Sequence, residues 1–173
     1  RDLAQKFNSR YSDTFKLPEP ITPKTGAKIA SLSNPTKKMS KSESDKGTIY
    51  LLEDLNIARK KIMAAVTDSD TSIHYDLENK PGISNLLTIA SSITGKEIPE
   101  IEEMFKDKGY GEFKKYVADV VVAELSELQK KVKEIQQSNI IDEVLQDGAK
   151  AASYLAAKKL NKVYIKVGLR SRK

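Results

Sequence analysis

From residue 112 to residue 167 apolar side chains return every three to four positions, a period that leaves room for little except two long helices. Residues 112–137 align Phe113, Val117, Val120, Val121, Leu125, Leu128, Val132 and Ile135. Residues 140–167 align Ile140, Val144, Leu145, Ala149, Ala152, Leu155, Ala156, Leu160, Val163 and Val167. The small residues Ala149, Ala151, Ala152, Ala156 and Ala157 let a neighbouring helix come close. The same period recurs upstream. Leu52, Leu55, Ala58, Ile62 and Val66 form one stripe, with Glu53 and Asp54 suited to its amino end. Ile83, Leu86, Leu87, Ala90 and Ile93 form another, opened by Pro81 and closed by Gly95. A short helix is expected from about Pro99 to Lys106, carrying Ile101, Met104 and Phe105.

The first 48 residues differ in kind. Leu3, Phe7, Tyr11 and Phe15 recur at four-residue spacing and predict a helix over 2–15. Pro18, Pro20, Pro23 and Pro35 then forbid a helix between 17 and 36. Within that stretch Ala27–Leu32 alternates small or apolar with polar residues and predicts one short strand, whose sheet partners must lie elsewhere. Residues 36–47 are polar and aperiodic, and predict a mobile surface loop.

Composition excludes several chemistries. The chain has no cysteine and one histidine, His74, so thiolate nucleophiles, disulfides and histidine-rich zinc sites are ruled out. No apolar run approaches the roughly 20 residues that span a bilayer, and the start lacks both a methionine and the apolar core of a signal peptide. A cytoplasmic setting and a start partway through a gene product are expected. The net charge of +6 is unevenly laid out: +5 over residues 1–48, −5 over 49–112 and +6 over 113–173. Two basic segments flanking an acidic one point to two surfaces that meet polyanions.

Lys37-Lys38-Met39-Ser40-Lys41-Ser42 is the hexapeptide with most chemistry. Lys38 and Lys41 are point charges on long stems, able to follow a phosphate chain whose charge moves as a bond breaks. Ser40 and Ser42 add hydroxyls, and Met39 adds a soft apolar surface. On composition alone most such segments are solvated loops or phosphorylation targets.

Lys38-Met39-Ser40-Lys41-Ser42 is identical to the second signature motif of class I aminoacyl-tRNA synthetases, and the blocks around it resemble bacterial tryptophanyl-tRNA synthetases. Those blocks are Gly26–Ile29, Ala65–Asp70, Tyr75-Asp76 with Lys80–Leu87, and Lys108–Phe113, in order along the chain. The Lys80–Leu87 block is not typical of tyrosyl-tRNA synthetases. His74 departs from the arginine that this family usually carries before Tyr-Asp.

The resemblance implies a mainly α fold: a helical carboxy-terminal domain of a class I synthetase, preceded by a short remnant, a helix and the last strand, of the Rossmann-like catalytic domain. It divides the chain into that remnant at 1–35, a mobile ATP-phosphate loop at 36–48 and a helical tRNA-binding domain at 49–173. It assigns Lys38 and Lys41 to the ATP phosphates with Ser40 and Ser42 in support, and lays Met39 and Ile29 against the adenine. Mg²⁺ is expected on the ATP phosphates rather than in a protein cage. L-tryptophan, tRNA(Trp) and a homodimeric partner are implied for the intact enzyme. No His-Ile-Gly-His-type first motif is present, so the chain by itself is expected not to activate an amino acid.

Lys158, Lys159, Lys162 and Lys166, continued by Arg170 and Arg172, form a basic run at the end of the last helix, where the family receives the anticodon region. Each cation that meets a phosphate releases counterions and steepens the salt dependence of binding. A non-catalytic helical RNA-binding or interaction module remains the alternative.

Overall fold

The computed structural model describes residues 1–23, 25–42 and 45–169. Among these every regular element is helical: α1 (Asp2–Arg10), α2 (Leu55–Met63), α3 (Pro81–Thr94), α4 (Ile98–Met104), α5 (Tyr110–Gln136) and α6 (Ile140–Lys166), with one 3₁₀ turn at Asp45–Gly47. The mainly α expectation is met. None of these helices is long and apolar enough to cross a membrane.

The chain divides into two compact units, residues 22–133 and residues 1–21 with 134–173. The resemblance implied boundaries at 35 and 48; by contacts, residues 22–48 group with the larger unit, their backbone tied to its core, and residues 1–21 with the smaller.

That core is built on α3. Its period was legible, and so were its ends: Pro81 stands in the first turn, where a missing N–H costs nothing, and Gly95 takes φ +72° to donate its N–H to Ser91 O at 2.9 Å. Nine of the fourteen residues of α3 are buried, so it is covered on most sides rather than along one stripe. Phe113, Val117, Val121 and Leu125 of α5 join the same core as Ala58 and Ile62 of α2, Ile101 of α4 and Leu32. Phe113 meets Phe105 edge-on at 5.3 Å. α2 is capped by Asp54, whose carboxylate accepts the N–H groups of Asn56 (2.8 Å) and Ile57 (3.2 Å).

Gly82 is required by contact. A Cβ there would stand 2.1 Å from Val66 O, so only glycine lets α3 start against residues 66–67.

In the smaller unit α1 stops at Arg10, short of the expected helix over 2–15. Asn8 is the reason. Its carboxamide accepts the N–H groups of Thr14 and Phe15 at 3.0 and 2.9 Å and donates to Phe15 O at 2.7 Å, pinning a turn in place of further helix. Phe7, Tyr11 and Phe15 still cluster, with rings 4.9 and 5.0 Å apart. α6 buries none of its residues.

Candidate functional site

The expected strand at Ala27–Leu32 is not formed. Ala30 and Lys38 make an isolated antiparallel bridge, and no strand occurs among the described residues. A strand needs a partner along its length. Here the chain turns back at Asn34–Lys37 and supplies only a short one: Ser31 N–H donates to Lys37 O at 2.9 Å and Met39 N–H to Ile29 O at 2.9 Å. The other edge of Ala30 is met by a side chain. Ala30 N–H donates to Asn85 Oδ1 at 2.7 Å, and Asn85 Nδ2 donates to Ala30 O at 2.9 Å.

Further bonds close the base of the loop. Leu32 N–H donates to Gly47 O at 3.0 Å, Val66 N–H to Leu32 O at 2.8 Å, and the Thr48 hydroxyl to Ser40 O at 2.9 Å. Gly47 is buried so tightly that a Cβ would meet Ser31 Oγ at 2.1 Å. The segment expected to be mobile is thus fastened at both ends. Lys61 secures the chain leaving the loop by donating to Thr48 O at 2.9 Å while pairing with Glu53 at 2.5 Å.

On this frame the signature residues separate into two sets. Ile29 and Met39 are half-buried, joined through their backbones and packed on the core; with Ile49, Leu51, Ile89 and Ile93 they line an apolar groove of about 350 Å³. Lys38, Lys41 and Ser42 are exposed, and Ser40 is half-buried with its hydroxyl accepting Ser42 N–H at 3.3 Å. Neither ammonium group has an acceptor among the described residues. The arrangement presents two positive charges beside an apolar slot, which suits a ligand with a flat ring and a polyanionic tail. No three carboxylate or imidazole groups converge among the described residues. Glu43 lies outside the described residues.

A polar node that the sequence did not disclose sits behind α3. Lys80 is buried, and its ammonium donates to Asp70 (2.6 Å), Tyr110 (2.9 Å) and Asp68 (3.3 Å). Tyr110 in turn donates to Asp68 at 2.7 Å. Burial works against the charge on Lys80, but its acceptors on Asp70, Tyr110 and Asp68 outweigh it and raise the pKa above the ordinary lysine value. Burial likewise works against the Asp68 carboxylate, and the Tyr110 hydroxyl, backbone N–H groups and Lys80 still hold its pKa low. Asp70 is held low chiefly by Lys80 and then by Ser72. Asp68 and Asp70, Lys80 and Tyr110 fall in three of the blocks that carry the family resemblance, but nothing in their spacing showed that they meet.

The basic run on α6 is divided by the structure. Lys158, Lys162 and Lys166 are exposed. Lys159 is half-buried, donates to Thr14 O at 2.6 Å and lies 5.6 Å from the centre of the Phe15 ring. Its charge is engaged within its own chain, beside the aromatic cluster that Asn8 folds back. Arg170 and Arg172 lie outside the described residues.

Residues 1–126, which hold the lysine–serine loop and the buried helix beside it, match the family model of class I tRNA synthetases (W and Y), and the chain belongs to that family. Within it the similarity runs to the tryptophan members. The chain is 49% identical over 170 residues to the tryptophan–tRNA ligases of Caldanaerobacter subterraneus and Bacillus anthracis, which covers 98% of this chain and 52% of each relative. It therefore spans about half the length of the curated relatives it matches. Among solved structures, tryptophanyl-tRNA synthetase from Mycoplasma pneumoniae superposes with a TM-score of 0.90 at 31% identity, over 99% of this chain and 54% of that one. The Campylobacter jejuni enzyme, complexed with ADP and tryptophan, gives 0.62 at 31% identity, over 98% and 52%.

Proposed function

We propose that the intact protein activates L-tryptophan with ATP and transfers it to tRNA(Trp), and that this chain supplies the phosphate loop and a tRNA-binding surface. One observation carries the reading: the two exposed ammonium groups of Lys38 and Lys41 stand on a loop whose base is fixed beside the apolar groove of Ile29 and Met39.

In the first step an oxygen of the tryptophan carboxylate attacks the α-phosphorus of ATP. A new P–O bond forms, the bond from the α-phosphorus to the bridging oxygen breaks, and pyrophosphate leaves with the electron pair. Negative charge grows on the departing phosphates, and fixed cations facing that charge lower the barrier more than they stabilise bound ATP. Lys38 and Lys41 take this part, with Ser40 and Ser42 supporting the loop. Ile29 and Met39 hold the adenine by apolar contact. Mg²⁺ arrives on the phosphates. In the second step a ribose hydroxyl of the tRNA end attacks the acyl carbon and AMP leaves. Lys158, Lys162 and Lys166, with Arg170 and Arg172, are read as phosphate contacts of the tRNA. The family resemblance adds a cytoplasmic homodimer for the intact protein, and no exchange activity for this chain alone.

The test is tryptophan-dependent exchange between ATP and pyrophosphate in the intact protein carrying Lys38→Ala and Lys41→Ala. A loss on the order of 10²–10³-fold is expected, the scale seen when a group that stabilises developing charge is removed. Full activity in the double variant overturns the phosphate role of the loop and leaves this chain as a helical RNA-binding module that takes no part in the activation step.

A further inference from the structure

Asn85 is a buried carboxamide in the middle of the most apolar helix of the chain, 6% exposed and flanked by Ser84 and Leu86, both fully buried. Burying an amide there is costly unless all of its groups are met. Both polar atoms are met by one backbone residue: Asn85 Oδ1 accepts Ala30 N–H at 2.7 Å and Asn85 Nδ2 donates to Ala30 O at 2.9 Å. That is the pair of bonds an adjacent strand would make, supplied by a side chain. Ala30 is also the residue bridged to Lys38, the first lysine of the signature. Hydrogen bonds thus tie α3 through Asn85 to Ala30, and the flanking Ser31–Lys37 and Met39–Ile29 bonds tie that backbone to Lys38. Two close approaches hold the neighbouring backbone against the same helix. Gly26, at φ +77°, passes so near that a Cβ would meet Ser92 Oγ at 2.4 Å, and Gly82 lies against Val66, which accepts no substitute for it and itself bonds Leu32.

We propose that Asn85 is a positioning residue: its carboxamide stands in for a missing strand and fixes where Lys38 and Lys41 meet the nucleotide phosphates. This rests on the reading that the loop holds ATP. Of the side chains of this size only asparagine sets a donor group and an acceptor side by side in one plane; aspartate keeps the acceptor alone and leucine keeps neither.

The intact protein with Asn85→Leu, Asn85→Asp or Ser91→Ala is compared with the unsubstituted one. Ser91 is a matched control, buried on the same helix and bonded to Lys96 O at 2.6 Å. Asn85→Leu is expected to raise the KM for ATP or lower kcat about tenfold, since displacement of a catalytic group by a fraction of an ångström has effects of this order. The KM for tryptophan should stay within about twofold, a split that simple loss of folded protein cannot give. Hydrogen exchange at the Ser31 and Met39 amides should quicken by about tenfold or more. Asn85→Asp should fall between the two, and it keeps the test open if the leucine variant does not fold. Ser91→Ala should lose thermal stability and leave both KM values alone. Unchanged ATP kinetics in a folded Asn85 variant overturn the proposal, as does a Ser91→Ala variant with the same ATP defect. If the lysine variants lose exchange and the Asn85 variants do not, the positioning role falls and the phosphate role stands; if the lysine variants keep exchange, the phosphate role itself has failed.

Discussion

α3 and α6 show almost the same apolar period in sequence and opposite fates in structure. α3 buries nine of fourteen residues; α6 buries none of twenty-seven. Periodicity reports that a segment coils and which side is apolar, and it carries no information on whether anything covers that side. The two helices also divide the work. The buried one is a rigid jig against which a loop is set, and the exposed one displays Lys158, Lys162 and Lys166 to solvent.

The strongest way to break the contrast is to truncate one large side chain in each unit. Phe113→Ala removes a ring that is wholly buried against Phe105 and should cost about 3–5 kcal/mol in chemical denaturation. A cost below about 1 kcal/mol would mean that the core around α3 is not packed as described.

Lys80→Met comes next. It removes the partner of Asp68 and Asp70, and about 2–3 kcal/mol is expected, below the usual range for a buried pair because the Asp70 side chain is 55% exposed. The sign with pH follows from the shifts. The aspartate pKa values are held below the ordinary 3.8, so their contribution is present above pH 3.8 and lost as the pH falls through the native values. The Lys80 pKa is raised above 10.5, so its contribution is present below pH 10.5 and lost as the pH rises through the native value. Denaturation measured from pH 2 to 6 should show a shallower acid loss in Lys80→Met than in the parent, and equal slopes would remove the node from the account.

Smaller effects are expected on α6. Replacing Lys158, Lys162 and Lys166 by alanine in the intact protein should lower the slope of log affinity for tRNA against log salt by about two to three units, if each meets one phosphate. Lys159→Ala, whose ammonium is already bonded to Thr14 O, should change the slope little and cost stability instead. A slope that responds to Lys159 as strongly as to its neighbours would refute this division. Leu155→Ala is the smallest. At 65% exposed it should shift stability by less than about 0.5 kcal/mol, and a larger cost would show that the face of α6 is covered in solution.

What could be read from the sequence was local. Pro81, Gly95 and Asp54 mark helix ends by chemistry that acts within one turn, and each stands where such chemistry puts it. The signature lysines were legible because five adjacent residues carry them. Three features failed to show for a common reason. The turn after α1 depends on Asn8 reaching residues seven positions away, the absent strand depends on Asn85 meeting Ala30 fifty-five positions away, and Tyr110 meets Asp68 across forty-two. Each is a polar side chain satisfying distant backbone or charge, and no period or composition records that. Lys159 is the same lesson on a smaller scale: one cation of a run of four is turned inward by a contact with residues 14 and 15.

The central claim is that Lys38 and Lys41 hold a triphosphate, and the ratio of ATP to adenosine affinity in the intact protein measures it without any chemistry. The account predicts that ATP binds far more tightly than adenosine to the parent protein. With both lysines changed to alanine that preference should collapse while adenosine, seated on Ile29 and Met39, binds as before. An ATP preference that survives both substitutions would contradict it.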